Sequence, residues 1–274
     1  MEKKTLVIGL NKSLSTYISD LVSYRELFYF FAWRDVIVRY KQAFFGAAWA
    51  LFRPLLNMLA FTLIFGKIAN LPSEHVNYGL FVLAAMLPWQ LFAGTITDAC
   101  TALINQTNLV SKVYFPRMII PAAHSGVHLV DYTIALFFLL VLLPWFGISY
   151  HLSLLALPFF SLLVVGLALG SGFWLSAVTV RYRDFRLVVP FFVQFGMFIS
   201  PVGYGSFLVT DRWVYLYALN PLVGIIDGFR WAFFEITHPH MLLNVVSSLC
   251  VTSLIFISGF CYFRKTETTF ADTI

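Results

Sequence analysis

Charged side chains are scarce in this sequence. Asp, Glu, Lys and Arg make up 11% of its 274 residues, whereas soluble domains carry about a quarter. Hydrophobic residues make up 60%, and the mean hydropathy is +0.83. This composition excludes an ordinary soluble domain and places most of the chain in a membrane.

Cysteine is scarce as well, and one common nucleotide-binding motif is missing. Cys100, Cys250 and Cys261 lie in apolar runs without paired spacing or neighbouring histidines. We therefore predict neither a disulfide framework nor a metal site. The phosphate-binding loop G-x-x-x-x-G-K-[ST] does not occur, and the near match GLNKS at 9–13 lacks its spacing. We expect no catalytic residues and no ATP or other cofactor bound by this chain.

Long hydrophobic runs dominate what is present. Six of them are long enough to cross a hydrocarbon core of about 30 Å; they lie at 44–66, 79–104, 118–143, 152–180, 187–205 and 241–263. The pattern predicts an all-α membrane protein with six transmembrane helices. Lys and Arg concentrate before residue 44 and in alternate connections, whereas the opposite connections hold only Lys67, Arg212 and Arg230. The positive-inside rule then places both termini in the cytoplasm.

These boundaries divide the chain into three parts. They are a cytoplasmic leader (1–43), a six-span domain (44–263) and a cytoplasmic tail (264–274). Within the leader, YRELFYFFAWRDVIVRYK at 24–41 mixes aromatic residues with six charges. The segment is typical of a helix lying in the membrane interface. The alternative is a plain positively charged flank that fixes topology.

Two connections on the inner side are candidate docking segments. NQTNLVSKVYFPR at 105–117 is polar at first and then presents an apolar edge formed by Leu109, Val110, Val113, Tyr114 and Phe115. A short helix with such an edge suits docking into a groove on a partner, and the alternative is an ordinary loop. RYRDFR at 181–186 is a basic turn, in which Asp184 fixes the turn or meets a partner. Topology alone also explains its charge.

Ionisable residues inside apolar runs are costly unless paired, so each one is a functional candidate. Arg53 lies in the first run. His124, His128 and Asp131 in the third run are spaced i, i+4, i+7 and share one helix face. A proton relay, the polar lining of a pathway and paired structural burial all fit this face. Zinc binding lacks a third ligand.

Aromatic side chains form a stripe in the fifth run. Phe191, Phe195 and Phe198 are spaced i, i+4, i+7, with Phe192 beside them. Such a stripe serves as packing or lipid contact. It also suits contact with sugar rings, whose faces carry apolar C–H groups.

The segment ALNPLVGIIDGFRWAFFE at 218–235 predicts a helix of half the usual membrane length. Asn220 is a suitable N-cap and Pro221 a suitable first residue. A helix from Pro221 to Glu235 is roughly 22 Å long, too short to cross the membrane and too apolar for a solvated loop.

The order and spacing of these stretches resemble the membrane subunit of ABC-2-type exporters of bacterial surface polysaccharides: O-antigen, teichoic acid and capsule. The resemblance covers about Tyr24 to Arg264 and is nearest to the O-antigen type. It is carried by RYKQAFFGAAWALFRPLLNMLAFTLIFG at 39–66, MLPWQLF at 86–92, NLVSKVYFPRMIIP at 108–121, VRYRDFRLVVPFFVQFGMFISPVGY at 180–204 and LNPLVGIIDGFRW at 219–231.

The resemblance implies a homodimer in the bacterial inner membrane, bound to two ATP-binding-cassette subunits. Those subunits would hold ATP and Mg²⁺, while this chain would move a lipid-linked polysaccharide and bind no nucleic acid. The translocation path would contain Trp49, Phe52, Arg53, Phe191, Phe192, Phe195 and Phe198. The ATPase-coupling residues would be Leu109, Val110, Val113, Tyr114, Phe115, Arg181, Arg183 and Asp184.

The insertion at 206–240 would form short helices that dip back from the outer face as a gate. Its gate residues would be Asn220, Pro221, Asp227, Arg230 and Trp231. Asp227 and Arg230, three residues apart, could pair with each other or bind passing hydroxyls. Gly224 and Gly228, four apart, allow close helix approach.

Two other functions compete with export. A proton-coupled secondary transporter would use Arg53, His124, His128 and Asp131, but such carriers generally contain internal repeats, and we find none. A membrane-embedded transferase would need a converging acid and base, for which the histidine face is the only candidate.

Overall fold

The computed structural model describes residues 13–41 and 48–270, which fold into helices without forming a sheet. The helices are α1 (Leu14–Ser23), α2 (Arg25–Lys41), α3 (Ala48–Phe61), α4 (Tyr78–Asn105), α5 (Thr107–Lys112), α6 (Ile119–Trp145), α7 (Leu157–Arg181), α8 (Phe185–Ile199), α9 (Val214–Ala218), α10 (Pro221–Phe234) and α11 (Met241–Thr266). A π-helical stretch, Thr62–Ile68, continues α3, and single 3₁₀ turns occur at Leu152–Ala156, Ser206–Leu208 and Glu267–Thr269. Predictions that fall on 1–12, 42–47 and 271–274 lie outside the described residues.

Five helical segments in the described ranges are long and apolar enough to cross a membrane. They are Ala48–Ile68, Tyr78–Asn105, Ile119–Trp145, Leu152–Arg181 and Met241–Thr269. The prediction of an all-helical, multi-pass membrane protein is therefore confirmed.

The predicted count of six spans is not confirmed, because the fifth apolar run contains only the 15-residue helix α8. This helix ends at Ile199. Ser200 has extended backbone, with ψ of 152°, since the residue before a proline is disfavoured in the helical region and Pro201 follows. Hydropathy does not detect this early end, because the residues beyond it remain apolar.

Helix α4 occupies the centre of the bundle. Every residue from Leu80 to Leu87 is buried, and the helix contacts α3, α6, α7, α8 and α10. Its first turn is capped by Asn77, whose side-chain oxygen accepts a hydrogen bond from the Gly79 amide at 2.9 Å. Helices α3, α6, α7, α8 and α10 are therefore arranged around α4.

Close packing holds α7 against α11. A Cβ atom on Gly170 would lie 2.5 Å from the Cα of Phe256, and one on Gly259 would lie 2.2 Å from the carbonyl oxygen of Gly170. In a membrane, van der Waals contact between closely approaching backbones drives helix association, because lipid is as apolar as the side chains. These two glycines therefore set the spacing of this helix pair.

A polar junction joins α1, the start of α6 and the end of α11. The Tyr17 hydroxyl donates to Glu267 Oε2 at 2.6 Å, and Arg117 Nη1 donates to the Glu267 carbonyl oxygen at 2.6 Å. Burial, together with the neighbouring Glu267 carboxylate, raises the pKa of Tyr17. The phenol therefore stays protonated and keeps donating at neutral pH.

Candidate functional site

Helices α3 and α8 present exposed aromatic side chains to the outside of the described chain. On α3, Trp49 and Phe52 are 45% and 43% exposed. On α8, all four phenylalanines proposed to meet the glycan are more than half exposed: Phe191, Phe192, Phe195 and Phe198. The two helices meet where Phe61 stacks on Phe198, with ring centroids 6.5 Å apart. We call these six exposed residues the aromatic surface.

The aromatic surface is exposed because α8 is attached through one edge only. Val189 is the single buried side chain of this helix, and the helix packs mainly on α4. Gly196 makes that packing possible, since a Cβ atom there would lie 3.1 Å from the ring of Trp89. Rings that do not pack within the chain are available to lipid, to a second copy or to a ligand.

The histidine face of α6 forms the binding surface for α2. Asp131 Oδ2 lies 2.9 Å from Arg39 Nη2, and the Tyr40 hydroxyl donates to the same carboxylate. His124 Nδ1 lies 3.0 Å from Asp35 Oδ2. Between these contacts, Gly126 lets Ala32 approach, because a Cβ atom there would lie 2.8 Å from the Ala32 Cβ.

Charged side chains on both α2 and α6 stabilise the contact between these two helices. Burial alone would raise the pKa of Asp35, but the adjacent His124 and Arg34 outweigh burial and hold that pKa below its ordinary value. Asp35 is therefore ionised at neutral pH and attracts the face of α6. Asp35 and Arg39 of α2 therefore face another helix.

His128 has a different partner from its two neighbours. Its Nε2 atom lies 2.7 Å from Asp98 Oδ2 on α4. The ring crosses over Gly94, where a Cβ atom would lie 2.3 Å from the imidazole Nδ1. The three residues of the histidine face thus join three helices, and each has a polar contact with a separate partner.

The proposed coupling segment contains one short helix, α5, followed by an extended turn. Val113 and Tyr114 are 50% and 47% exposed. Val110 and Phe115 are buried, and the Phe115 ring lies 6.1 Å from the ring of Phe31 on α2. Leu109 is half-buried. The apolar edge is therefore divided between an exposed part and a part that anchors the segment to the bundle.

The basic turn between α7 and α8 lies at the same end of the bundle as α5. Arg181, Arg183 and Asp184 are all exposed. Asp184 immediately precedes α8 and forms no side-chain cap. The turn is held to α4 from beneath, because the Cys100 thiol lies 3.1 Å from the Thr179 hydroxyl and donates to the Phe185 carbonyl.

Helix α10 begins as its sequence predicts. The Asn220 side-chain oxygen accepts from the Leu222 amide at 3.1 Å, and Pro221 is the first helical residue. The helix ends at Phe234, where Glu235 adopts the left-handed conformation with φ of 55°. Both glycines serve close contact: a Cβ atom would lie 2.1 Å from the Asn244 carbonyl oxygen at Gly224 and 2.1 Å from the Phe160 ring at Gly228.

Asp227 and Arg230 do not form the ion pair considered from their spacing; among the described residues each has other partners. Asp227 accepts from the Ser206 hydroxyl at 2.7 Å and the Asn244 amide at 2.9 Å, and His238 Nε2 lies 3.0 Å away. Arg230 donates to three main-chain carbonyls and lies over the Phe81 ring, 3.6 Å from its centroid. Both are buried, so in this conformation they stabilise the insertion from inside.

The contacts of the insertion with neighbouring helices define its path. His240, which precedes α11, lies 3.1 Å from Asp211. At the end of α9, the Ala218 carbonyl accepts from Ser247, which lies six residues and roughly 9 Å beyond the start of α11. Near the end of α10, the Ala232 carbonyl accepts from Ser153 in the turn before α7. The segment thus passes into the bundle and returns to the same end. Trp231 is half-buried beside this return.

A family model matches residues 26–234, more than half of the chain, and its description is "ABC-2 type transporter". The chain belongs to the ABC-2 type transporter family. This region includes α2, the aromatic surface, the coupling segment and α10.

Curated relatives of this ABC-2 chain are polysaccharide export permeases. The O-antigen export system permease protein RfbA of Klebsiella pneumoniae is 27% identical over 88% of this chain and 92% of its own length. The protein of the same name from Myxococcus xanthus is 26% identical over 80% and 84%. The polysialic acid transport protein KpsM of Escherichia coli is 25% identical over 73% and 78%.

Several partners in this ABC-2 membrane domain were not predicted from the sequence. Asp35 and Arg39 are four residues apart on α2, with charges opposite to those of His124 and Asp131 on α6, so their complementarity was a usable signal. Asp98, His238 and Glu267 carried no comparable signal, since they become partners only through the tertiary fold. Within the described ranges, no group of three or more His, Cys, Asp and Glu is arranged to hold a metal ion.

Proposed function

We propose that this chain is the channel-forming subunit of an ATP-driven exporter that moves a lipid-linked, O-antigen-like polysaccharide across the bacterial inner membrane. Membership of the ABC-2 family supports the transport class, and the names of its relatives support the polysaccharide. The observation that carries the proposal is the aromatic surface, because unburied rings on two adjacent helices suit contact with the apolar faces of sugars.

Two copies of the chain would enclose the channel. One copy presents α3 and α8 on its outside instead of surrounding a pore. Facing copies would place two aromatic surfaces around one path, and the same arrangement would cover their apolar residues. Closed two-fold symmetry is the commonest form of oligomer.

The proposed topology keeps six crossings with both termini in the cytoplasm. Helix α8 and the residues that follow it would form the fifth crossing. The path of α9 and α10, into the bundle and back, supports a re-entrant gate on the outer face. The leader, membrane domain and tail keep the boundaries 1–43, 44–263 and 264–274.

ATP chemistry would take place in a separate pair of ATP-binding-cassette subunits, which would also bind Mg²⁺. The exposed Val113 and Tyr114 beside α5 support docking into such a subunit, and the basic turn at 181–186 would lie at the rim of the contact. On this proposal the chain itself is not an enzyme.

No observation favours proton-coupled transport or group transfer. His124, His128 and Asp131 contact partners on α2 or α4, and these contacts explain their presence inside apolar helices.

Replacing Phe191, Phe195 and Phe198 together with Leu tests the proposal. Leu keeps most of the apolar volume but removes the ring face, so folding should persist. We expect cell-surface polysaccharide to fall severalfold at matched membrane expression, measured by quantitative glycan staining together with ATPase co-purification.

Phe137→Leu is the matched control, because Phe137 is 68% exposed on α6 and lies outside the aromatic surface. It should leave surface polysaccharide unchanged. Normal export by the triple variant, with ATPase association intact, would assign the rings to lipid or dimer packing and remove the main support for the proposal.

A further inference from the structure

The turn that follows α11 brings a carboxylate to the start of α6. Thr269 Oγ1 donates to the Thr266 carbonyl at 2.8 Å and closes this turn. The Phe270 ring, 2% exposed, packs edge-on against Phe263 of α11, with ring centroids 5.3 Å apart. These contacts fix the turn against the end of α11, and from there the Glu267 side chain reaches the segment that precedes α6.

Glu267 and Arg117 are joined by two hydrogen bonds. The Arg117 amide donates to Glu267 Oε1, and the Arg117 guanidinium donates to the Glu267 carbonyl oxygen at 2.6 Å. Arg117 is the last residue of the coupling segment, and α6 begins two residues later at Ile119. The N-cap residue of α6, Met118, forms no side-chain cap. A carboxylate near a helix N-terminus interacts favourably with the helix dipole, so Glu267 supplies from the far end of the chain what the local sequence lacks.

The same carboxylate also holds α1. The Tyr17 hydroxyl donates to Glu267 Oε2 at 2.6 Å. Burial raises the pKa of Tyr17, so the phenol keeps its proton at neutral pH. Hydrogen bonds to an ionised acceptor are roughly twice as strong as neutral ones. Arg264 of α11 lies over the Tyr17 ring, 5.5 Å from its centroid. The Glu267 side chain therefore joins α1 and the coupling segment to the end of α11.

The coupling segment is anchored on both sides of its exposed part. Val110 and Phe115 are 1% and 3% exposed, whereas Val113 and Tyr114 between them are 50% and 47% exposed. The contact with Glu267 follows two residues beyond the second anchor. Apolar packing is non-directional, whereas hydrogen bonds fix the direction in which a segment leaves. A hydrogen-bonded end can therefore transmit a movement that apolar contact alone would absorb by sliding.

We infer that Glu267 is a positioning residue for the coupling of ATP hydrolysis to export. It clamps the downstream end of the coupling segment, so a displacement of Val113 and Tyr114 by the ATPase moves α1, α6 and α11 together. Without the clamp, the segment would move while the helices behind it stay in place. The inference rests on the proposed function, and it adds a residue outside the ATPase contact that determines how much export each ATP supports.

The test combines hydrogen–deuterium exchange of the purified full-length chain with a coupling assay. Exchange is followed by mass spectrometry in peptides that cover 105–117. In the coupling assay the chain is co-expressed with the ATPase, and surface glycan is divided by ATP hydrolysis of the purified complex at matched membrane expression. A merely structural role would reduce membrane protein and bound ATPase together and leave this ratio unchanged.

Glu267→Ala removes both side-chain contacts. We expect exchange at the Arg117 amide to rise about tenfold and glycan per ATP to fall about threefold or more while the ATPase still co-purifies, since a hydrogen bond to a charged acceptor is lost. Glu267→Gln keeps an oxygen acceptor without the charge, so both changes should be smaller. Thr268→Ala is the matched control, because Thr268 is an exposed residue of the same turn. Its exchange and its glycan per ATP should stay within about twofold of the unmodified chain.

Unchanged exchange in Glu267→Ala would overturn the inference, as would unchanged glycan per ATP beside a functional unmodified chain. If Glu267→Ala fails to insert, Glu267→Gln decides: its ratio must fall while that of Thr268→Ala does not. Absence of bound ATPase and of surface glycan for the unmodified chain would overturn the exporter proposal and this inference with it. Failure of the inference alone would appear as a normal ratio in the variant, so the two failures are distinguishable.

Discussion

Arg230 is a large side chain that is almost completely buried in the described interior, at 2% exposure. It joins two parts of the chain that are far apart in sequence. Its Nη1 and Nη2 atoms donate to the carbonyls of Tyr204 and Val202 at 2.9 and 3.1 Å, and Nε donates to that of Phe81 at 3.4 Å. The acceptors are main-chain atoms, so no substitution elsewhere can remove them. Loss of the guanidinium removes a charged donor from each of these carbonyls.

We predict that Arg230→Leu lowers the free energy of unfolding by about 3 kcal/mol or more, because buried carbonyls lose charged donors. The measurement is the thermal unfolding midpoint in detergent. Arg212→Leu is the control, since Arg212 is an exposed cation of the same insertion; it should change the free energy of unfolding by about 0.5 kcal/mol or less. A similar midpoint for both variants would contradict a structural role for Arg230.

Charged side chains attach helix α2 to the neighbouring helix α6. Two polar contacts, Asp35 with His124 and Arg39 with Asp131, attach it along the face of α6. Phe31 of the same helix packs on Phe115 of the coupling segment. A displacement of the coupling segment would therefore move α2, and through α2 it would move α6.

We predict that Arg39→Asp destabilises the chain by about 1–3 kcal/mol, since it places like charges together at a partly buried contact. The double variant Arg39→Asp with Asp131→Arg should recover at least half of the loss. Thermal unfolding of the single and double variants checks this. Asp211→Asn, which breaks the exposed contact with His240, should be nearly silent. Failure of the double variant to recover would mean that the contact does not hold α2.

The local sequence was sufficient to predict where a helix begins, but not which residues contact each other in the folded chain. Asn220 and Pro221 are local signals, and the helix they predict begins where expected. The charge spacing on α6 identified one face, yet its partners lie on α2 and α4. Likewise, Asp227 and Arg230 are one turn apart, but tertiary acceptors compete successfully with that pairing. Hydropathy also overestimated α8, because it does not register the conformational effect of Pro201.

At the scale of the whole molecule, the end of the bundle with α5 collects the contacts that would transmit ATPase motion. Glu267, just beyond α11, bonds to both Tyr17 of α1 and Arg117 before α6. Val110 and Phe115 are buried in the same apolar cluster as Phe263 and Phe270. The exposed Val113 and Tyr114 are therefore connected rigidly to the bundle behind them.

We predict that the purified chain alone does not hydrolyse ATP, and that Tyr114→Ala weakens co-purification of the ATPase or uncouples its hydrolysis from export. Large apolar groups dominate such interfaces, while exposed ion pairs are worth at most about 1 kcal/mol. Lys112→Ala should accordingly be nearly silent. Phe115 is not suited to this test, since it is buried and its loss would disturb packing.

Both variants should be compared at matched membrane expression, by co-purified ATPase and surface glycan. Greater damage from Lys112→Ala would mean that docking is electrostatic. No effect from either variant would mean that segment 105–117 only connects α4 to α6 and does not dock on the ATPase.

The burial of α4 has a consequence for tolerance to mutation. A helix with one packed side accepts polar or smaller residues on its free side, so a saturation map shows tolerance every three to four positions. Helix α8 has Val189 as its single buried residue. If its rings bind no partner, it should tolerate substitutions in this periodic pattern. From Leu80 to Leu87, α4 has no free side. Substitutions there should be rejected at consecutive positions, and natural variation among homologues should be lowest in this stretch of the chain.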